Sequence, residues 1–194
     1  MFARFRHLRA SRQVRPRRER GAAALEFALV APLFFLVVFG GIELGLMFRS
    51  DLTLSDLTRN AARAGSIQRD NPDSDRVILT RIFNQSENLN GDITKIIIYN
   101  ADSLASEVPA DCVNGGSKAG VCNVYITLDG GGSTDLALIA EGFGALANAG
   151  YVPDQRKQLT NIGVYVEYEY SFVTGFFDST TLSSNAIEVI ELDL

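Results

Sequence analysis

Gly21-Ala-Ala-Ala-Leu-Glu-Phe-Ala-Leu-Val-Ala-Pro-Leu-Phe-Phe-Leu-Val-Val-Phe-Gly-Gly-Ile-Glu-Leu-Gly-Leu-Met-Phe48 is the stretch whose reading decides the fold. From Phe27 to Ile42 sixteen residues pass without a charge, and the span 22–48 holds only Glu26 and Glu43. A bilayer core about 30 Å thick needs roughly 20 helical residues. The uncharged run is slightly short of that, and the flanks 22–25 and 44–48 complete a span. Upstream, residues 1–20 carry eight arginines against the single acid Glu19, a charge of +7. The other 174 residues carry 10 bases and 22 acids, −12, so the net −5 of the 194-residue chain conceals a segregation. Arginine-rich before and acidic after predicts a cytoplasmic N-terminus and an exported body, because basic flanks stay on the cytoplasmic side.

The same numbers exclude whole classes of function. A nucleic-acid reader needs a basic folded domain, and this one is acidic. A hydrophobic content of 46% argues against wholesale disorder. The sole histidine, His7, lies in the basic stretch, so the body assembles neither a histidine-based triad nor a multi-histidine metal site. There is no phosphate-binding Gly-x-x-x-x-Gly-Lys-Ser/Thr loop and no Gly-x-Ser-x-Gly elbow. Asp129-Gly-Gly-Gly-Ser-Thr-Asp135 lacks the ligand pattern of a calcium loop. No cofactor, no metal and no enzymatic chemistry are expected. A hydrolase reading would need Glu167 and Glu169, which alternation puts on one strand face, and a solvated sheet face explains both more simply.

Three readings compete for the apolar segment. A cleaved secretory signal has a 7–15-residue apolar region followed by a small-x-small site. Here the run is longer, carries carboxylates and continues into helix-forming sequence. A plain signal anchor fits the length but leaves Glu26 unexplained, since an acid at the centre of a membrane helix costs on the order of 2.5–3.5 kcal/mol. The third reading uses spacing: Gly21 follows the arginines, and Glu26-Phe27 stand at the fifth and sixth positions after it. This resembles the processing site of type IV pilin-like proteins of the Tad (tight adherence) class. The likeness continues in Ala28-Leu-Val-Ala-Pro-Leu33, Gly40-Gly-Ile-Glu-Leu-Gly45 and Asn60-Ala-Ala-Arg-Ala-Gly65, and is dense over residues 17–66. Together these resemble a TadE-like minor pseudopilin (TadE/TadF type) of the Flp pilus system.

The resemblance implies cleavage between Gly21 and Ala22 by a membrane prepilin peptidase, with Glu26 and Phe27 completing the processing site. It implies that Glu26 pairs with the new α-amine of a neighbouring subunit and so sets the register of assembly. The implied partners are that peptidase, the major Flp pilin, other minor pseudopilins, the Tad secretion platform and membrane lipid, with no nucleic acid. The implied location is the bacterial inner membrane, single-pass, with a periplasmic C-terminal domain that joins the pilus or is released after processing. The alternative is an uncleaved membrane-anchored periplasmic binding or sensor module. Physical chemistry fits cleavage at Gly21, because glycine presents no side chain to a protease pocket and frays a helix start. Glu43 lies 17 residues beyond Glu26, about 25 Å along a helix at 1.5 Å per residue. It is expected to be a solvated boundary charge. Pro32 is expected to kink the span, and Gly41 with Gly45 forms one Gly-x-x-x-Gly, a weak sign of helix association.

The fold class expected is α+β, pilin-like: a long N-terminal transmembrane and then amphipathic helix, followed by a periplasmic domain with an antiparallel sheet. The divisions are a leader at 1–21, a membrane helix at 22–48, its continuation at 49–68 and the α+β domain at 69–194. Leu54, Leu57, Ala61 and Ala64 recur at helical spacing, so one helix over 22–66 is predicted, against two helices bending near Ser50-Asp51. Asp70-Asn-Pro-Asp-Ser-Asp75 predicts a break and a helix start, with Asp73 or Ser74 as cap and Val77, Ile78, Ile82 and Phe83 as the apolar face. Asn90-Gly91 marks a turn. Strands are predicted at Lys95-Ile-Ile-Ile-Tyr99, Val124-Tyr-Ile-Thr-Leu128, Val164 to Phe172 and Ala186-Ile-Glu-Val-Ile-Glu-Leu192, forming a sheet with one wet face. A helix is predicted over 134–150. Cys112 and Cys122, nine residues apart around a glycine turn in an exported body, predict a disulfide, with two free thiols as the alternative.

Overall fold

The computed structural model describes residues 17–68, 74–87, 89–102, 107–115, 117–118, 120–126, 160–175 and 178–190. The helix expected over 134–150, the cap candidate Asp73 and residues 1–16 of the leader lie outside them. The elements in chain order are α1 (Arg17–Ile67), α2 (Ser74–Ser86), β1 (Gly91–Asn100), α3 (Ala110–Asn114), β2 (Cys122–Ile126), β3 (Asn161–Tyr170) and β4 (Thr180–Val189). The chain divides into two units, Met1–Gly41 and Ile42–Leu194.

In the first unit the described residues are helical, and α1 continues through Pro32. None of the side chains at 21–41 is buried; Leu25, Leu29, Leu33 and Leu36 are all about two-thirds exposed or more. A helix apolar on every side gains nothing from water, and this surface is suited to lipid or to other helices. Among the described residues one helix is long and apolar enough to cross a membrane.

The second unit begins where α1 changes character. Glu43, Ser50, Leu54, Leu57, Thr58, Ala61 and Ala62 are buried, and Met47 packs partly against the same cluster. Steps of four and three residues keep these positions on one face of a 3.6-residue helix. The helix is unbroken at Ser50-Asp51, so the two-helix alternative does not hold. Near its end the small residues of Asn60-Ala-Ala-Arg-Ala-Gly65 acquire a reason. A Cβ at Gly65 would stand 2.5 Å from Cδ1 of Ile78 on α2 and 3.3 Å from Cδ1 of Ile162 on β3. Only a residue without a side chain lets three elements meet there.

The sheet is antiparallel throughout, in the order β2-β1-β3-β4. Along β3 the alternation expected from the sequence is present: Val164, Val166, Tyr168 and Tyr170 are buried, and Tyr165, Glu167 and Glu169 are less so. With Ile96 and Ile98 of β1 they face α1 and α2 and make the main core. The opposite face departs from expectation. Ile97, Tyr99 and Val124 bury against Ala101, Cys112 and Cys122, because the segment carrying α3 folds over that end of the sheet. Glu169 of β3 and, on the edge strand β4, Thr181, Ser183, Asn185 and Val189 stay exposed on that face. β4 starts six residues before the Ala186 expected, and its first half, Thr180-Thr-Leu-Ser-Ser-Asn185, is polar. An edge strand is held by backbone pairing to its one neighbour and needs no apolar alternation to form.

Candidate functional site

Gly21, Ala22, Glu26 and Phe27 all lie on α1, and each is exposed. Ala22 and Glu26 are four residues apart, hence on one helix face and about one turn from each other. Glu26 is set in an apolar surface, between Leu25 (67% exposed) and Phe27 (69% exposed). Among the described residues, none lies within 4 Å of where a Cβ would stand at Gly21, Gly40, Gly41 or Gly45.

Glu43 is corrected. Expected as a solvated boundary charge, it is 1% exposed. Its carboxylate accepts hydrogen bonds from the backbone N–H of Val173, at 3.2 Å, and of Thr174, both in the connection between β3 and β4. Two amides that the sheet no longer pairs are satisfied by a charged acceptor on the helix, a stronger bond than a neutral one. Around this contact the same end of the sheet is tied together. Asn90 Nδ2 donates to Ser171 O at 2.6 Å, and Ser171 N donates to Asn90 O at 3.0 Å. Burial raises the phenol of Tyr170 above its ordinary value, and the negative charge of Glu43 raises it further. Burial does the same to Tyr168. Sequence reasoning missed this latch because its donors are backbone amides 130 and 131 positions away, which no side-chain pattern reports.

The other polar groups read as architecture. Asp75 on α2 accepts from Asn123 Nδ2 at 2.7 Å and from the Tyr125 hydroxyl, fastening the helix to β2. Asp102 accepts from the amides of Thr160 and Asn161, at 2.9 and 2.5 Å, at the start of β3. Glu167 and Glu169 do share a sheet face, but each is engaged separately. Glu167 stands 3.7 Å from Lys95 Nζ, and Glu169 accepts from the Ser179 hydroxyl. Lys95 in turn donates to Val113 O at 3.1 Å. That arrangement fixes α3 to the sheet rather than poising a pair of carboxylates. Cys112 and Cys122 lie at disulfide distance, with Sγ atoms 1.97 Å apart. Beside them Lys118 and Asp111 form an exposed ion pair at 2.5 Å, which holds the Asp111 carboxyl below its usual range. A shallow groove of about 320 Å³ between α1 and α2 is lined by Asn60, Arg63, Ala64, Ile67, Arg81 and Gln85.

Comparison with known proteins bears on α1. Residues 21–63 match the sequence model of the family described as "TadE-like protein". Searches of curated proteins and of solved structures returned no match. The match begins at Gly21, takes in Glu26 and Glu43, and stops within the small-residue run that packs against α2. The segment of this chain that carries both the exposed apolar helix and the start of its core-facing stripe is TadE-like.

Proposed function

We propose that the chain is a minor pseudopilin precursor that assists assembly of Flp-type adhesive pili. The observation that carries this reading is the apolar surface of α1 over 21–42, unburied on all sides within a segment that matches the TadE-like family. Twenty-one residues from Ala22 to Ile42 measure about 32 Å as a helix, the thickness of a bilayer core. On this reading the span ends at Ile42, where the domain's own contacts take over at Glu43, six residues short of the boundary expected from hydropathy. The arginine leader remains in the cytoplasm and the acidic domain stands in the periplasm. The pairing of Cys112 with Cys122 suits that oxidising compartment.

Cleavage at Gly21/Ala22 by a prepilin peptidase removes the +7 leader and frees an amine at Ala22. Glu26 then pairs with the amine of an adjoining subunit, because a lone carboxylate in an apolar belt is costly and a paired one is not. The chain is a substrate of the peptidase and performs no chemistry itself. Its partners are the major pilin, other minor pseudopilins and the secretion platform, met through the glycine-bearing apolar helix. The test is mass spectrometry of the N-terminus from cells with and without an active prepilin peptidase. A mature chain starting at Ala22 only in the first strain is expected. An intact arginine leader in both would overturn the pseudopilin reading in favour of an uncleaved anchored module.

A further inference from the structure

We propose that the groove between α2 and the C-terminal end of α1 docks the acidic α3 side of a second copy of this chain, standing beside it on the same membrane. The equal depth of the two copies rests on the reading of α1 as a membrane span. The groove is built from two helix faces. Asn60, Arg63, Ala64 and Ile67 recur on one face of α1, and Arg81 and Gln85, four residues apart, on one face of α2. Asn60 Nδ2 donates to Gln85 Oε1 at 3.4 Å and ties the two walls together. In the stretch Asn60-Ala-Ala-Arg-Ala-Gly65, core packing accounts for Ala61, Ala62 and Gly65. It leaves Asn60 and Arg63 exposed at the groove.

Charge selects the occupant. The helical stretches 57–67 and 76–86 carry four arginines, Arg59, Arg63, Arg76 and Arg81, and no acid. All four are exposed, and none forms an ion pair among the described residues. Of the described residues from 89 to 190, eight are acids, and only Lys95 and Lys118 are bases. The domain is therefore two-sided, with a basic helix layer against an acidic sheet and α3 segment. Guanidinium groups pair with carboxylates through parallel hydrogen bonds, and charge complementarity of this kind fixes which faces meet.

Depth selects the acids. Arg63 lies 20 residues beyond Glu43, about 30 Å along the helix. Lipid headgroups add only about 5–7 Å to each side of the apolar core, so lipid phosphate is out of reach. Gly65 meets Ile162 at the end of the sheet away from Glu43, and the α3 segment covers that end on the other face, against Tyr99 and Ala101. Glu107 and Asp111 are exposed there, with Lys118 beside Asp111. Two copies anchored at one depth bring the groove of one level with Glu107 and Asp111 of the other. Groove and acids sit on opposite faces of the sheet, so the contact is front to back. Each copy then keeps a free groove or a free acidic side for a third.

The test places the full chain in phospholipid vesicles with the photoreactive residue p-benzoylphenylalanine at Ile67, which is 68% exposed at the groove. The expected product is a covalent dimer whose acceptor peptide, mapped by mass spectrometry, lies within residues 107–114 of the second copy. Arg63→Glu with Arg81→Glu lowers the yield about tenfold or more, and so does salt at about 1 M, where screening shortens to about 3 Å. Mixing that double variant with a chain carrying Glu107→Arg and Asp111→Arg restores the dimer, which separates lost charge from lost folding. A dimer mapping to α1 of the second copy, a yield unmoved by charge reversal, or a swap that restores nothing overturns the proposal. So does loss of the dimer to millimolar inorganic phosphate at constant ionic strength, which would make the groove a small-anion site. The same photoprobe at Phe34 is expected to form lipid adducts. Lipid adducts at Phe34 without a dimer at Ile67 overturn the docking and leave the span intact. No lipid adduct at Phe34 refutes the membrane span, and the proposal falls with it.

Discussion

Alanine at Gly163 is the substitution from which the packing of the sheet can be read most directly. Tyr99 of β1 pairs across the ladder with Gly163 of β3, and its ring lies over the glycine to reach β4. There its hydroxyl donates to Asn185 Oδ1 at 2.8 Å. A Cβ at position 163 would fall among the ring atoms Cζ, Cε1 and Cε2. Tyr99 is fully buried, so the ring has no solvent to retreat into. Forcing extra volume into a packed site costs about 1–3 kcal/mol. Losing the hydroxyl's hydrogen bond adds about 0.5–1.5 kcal/mol. Against these, alanine is better than glycine within a strand by roughly 0.5–1 kcal/mol. The clash wins, for a net loss of about 1–3 kcal/mol. In a chain of this size each kcal/mol moves the midpoint by about 2–4 °C. Thermal unfolding of the full chain in detergent, followed by circular dichroism, measures it. The decisive arm is a double-mutant cycle: with Tyr99→Val the space is open, and Gly163→Ala should become neutral or mildly stabilising. The same cost in both backgrounds, or a raised midpoint in the wild-type background, would refute the packing of Tyr99 over Gly163 as the cause.

Three further outcomes are expected. Burial raises Tyr99, Tyr125, Tyr168 and Tyr170 above the phenol's ordinary value of about 10, so the unfolded chain ionises first. Their contribution to stability is complete below pH about 10 and is lost as pH rises toward the folded values; a 295 nm titration should show them ionising late and together with unfolding, and an ordinary exposed-phenol curve would contradict this. Reducing the Cys112–Cys122 pair reopens a ten-residue separation, worth at most about 3 kcal/mol on the chain-entropy model. Reductant should lower the unfolding midpoint, whereas two reactive thiols in the untreated protein would disprove the pairing. Glu43→Ala removes the acceptor of the Val173 and Thr174 amides, so their hydrogen exchange should accelerate about tenfold or more while β1 amides stay protected. Unchanged exchange at 173 and 174 would show that the latch does not hold the turn.

What the sequence determined by itself was everything written in local periodicity and charge. The uncharged run from Phe27 to Ile42 specifies an all-round apolar helix. Leu54, Leu57 and Ala61 specify a helix with one buried face, and Val164 to Tyr170 specify a strand with one buried face. These signals survive because each depends on neighbours within a turn of helix or a few residues of strand. The tertiary structure decided the rest, at positions where the partner is distant in the chain or is backbone rather than side chain. Gly65 and Gly163 are explained only by Ile78 and Tyr99 arriving from other elements. The face predicted to be wet is half covered because α3 returns to it, and the polar half of β4 is strand because β3 offers it a ladder. Glu43 is the sharpest instance. As a residue type at the end of an apolar helix it belongs in water. Two amides brought to it by the end of β3 make burial the cheaper state, since a charged acceptor and unpaired donors satisfy one another where each alone would be penalised.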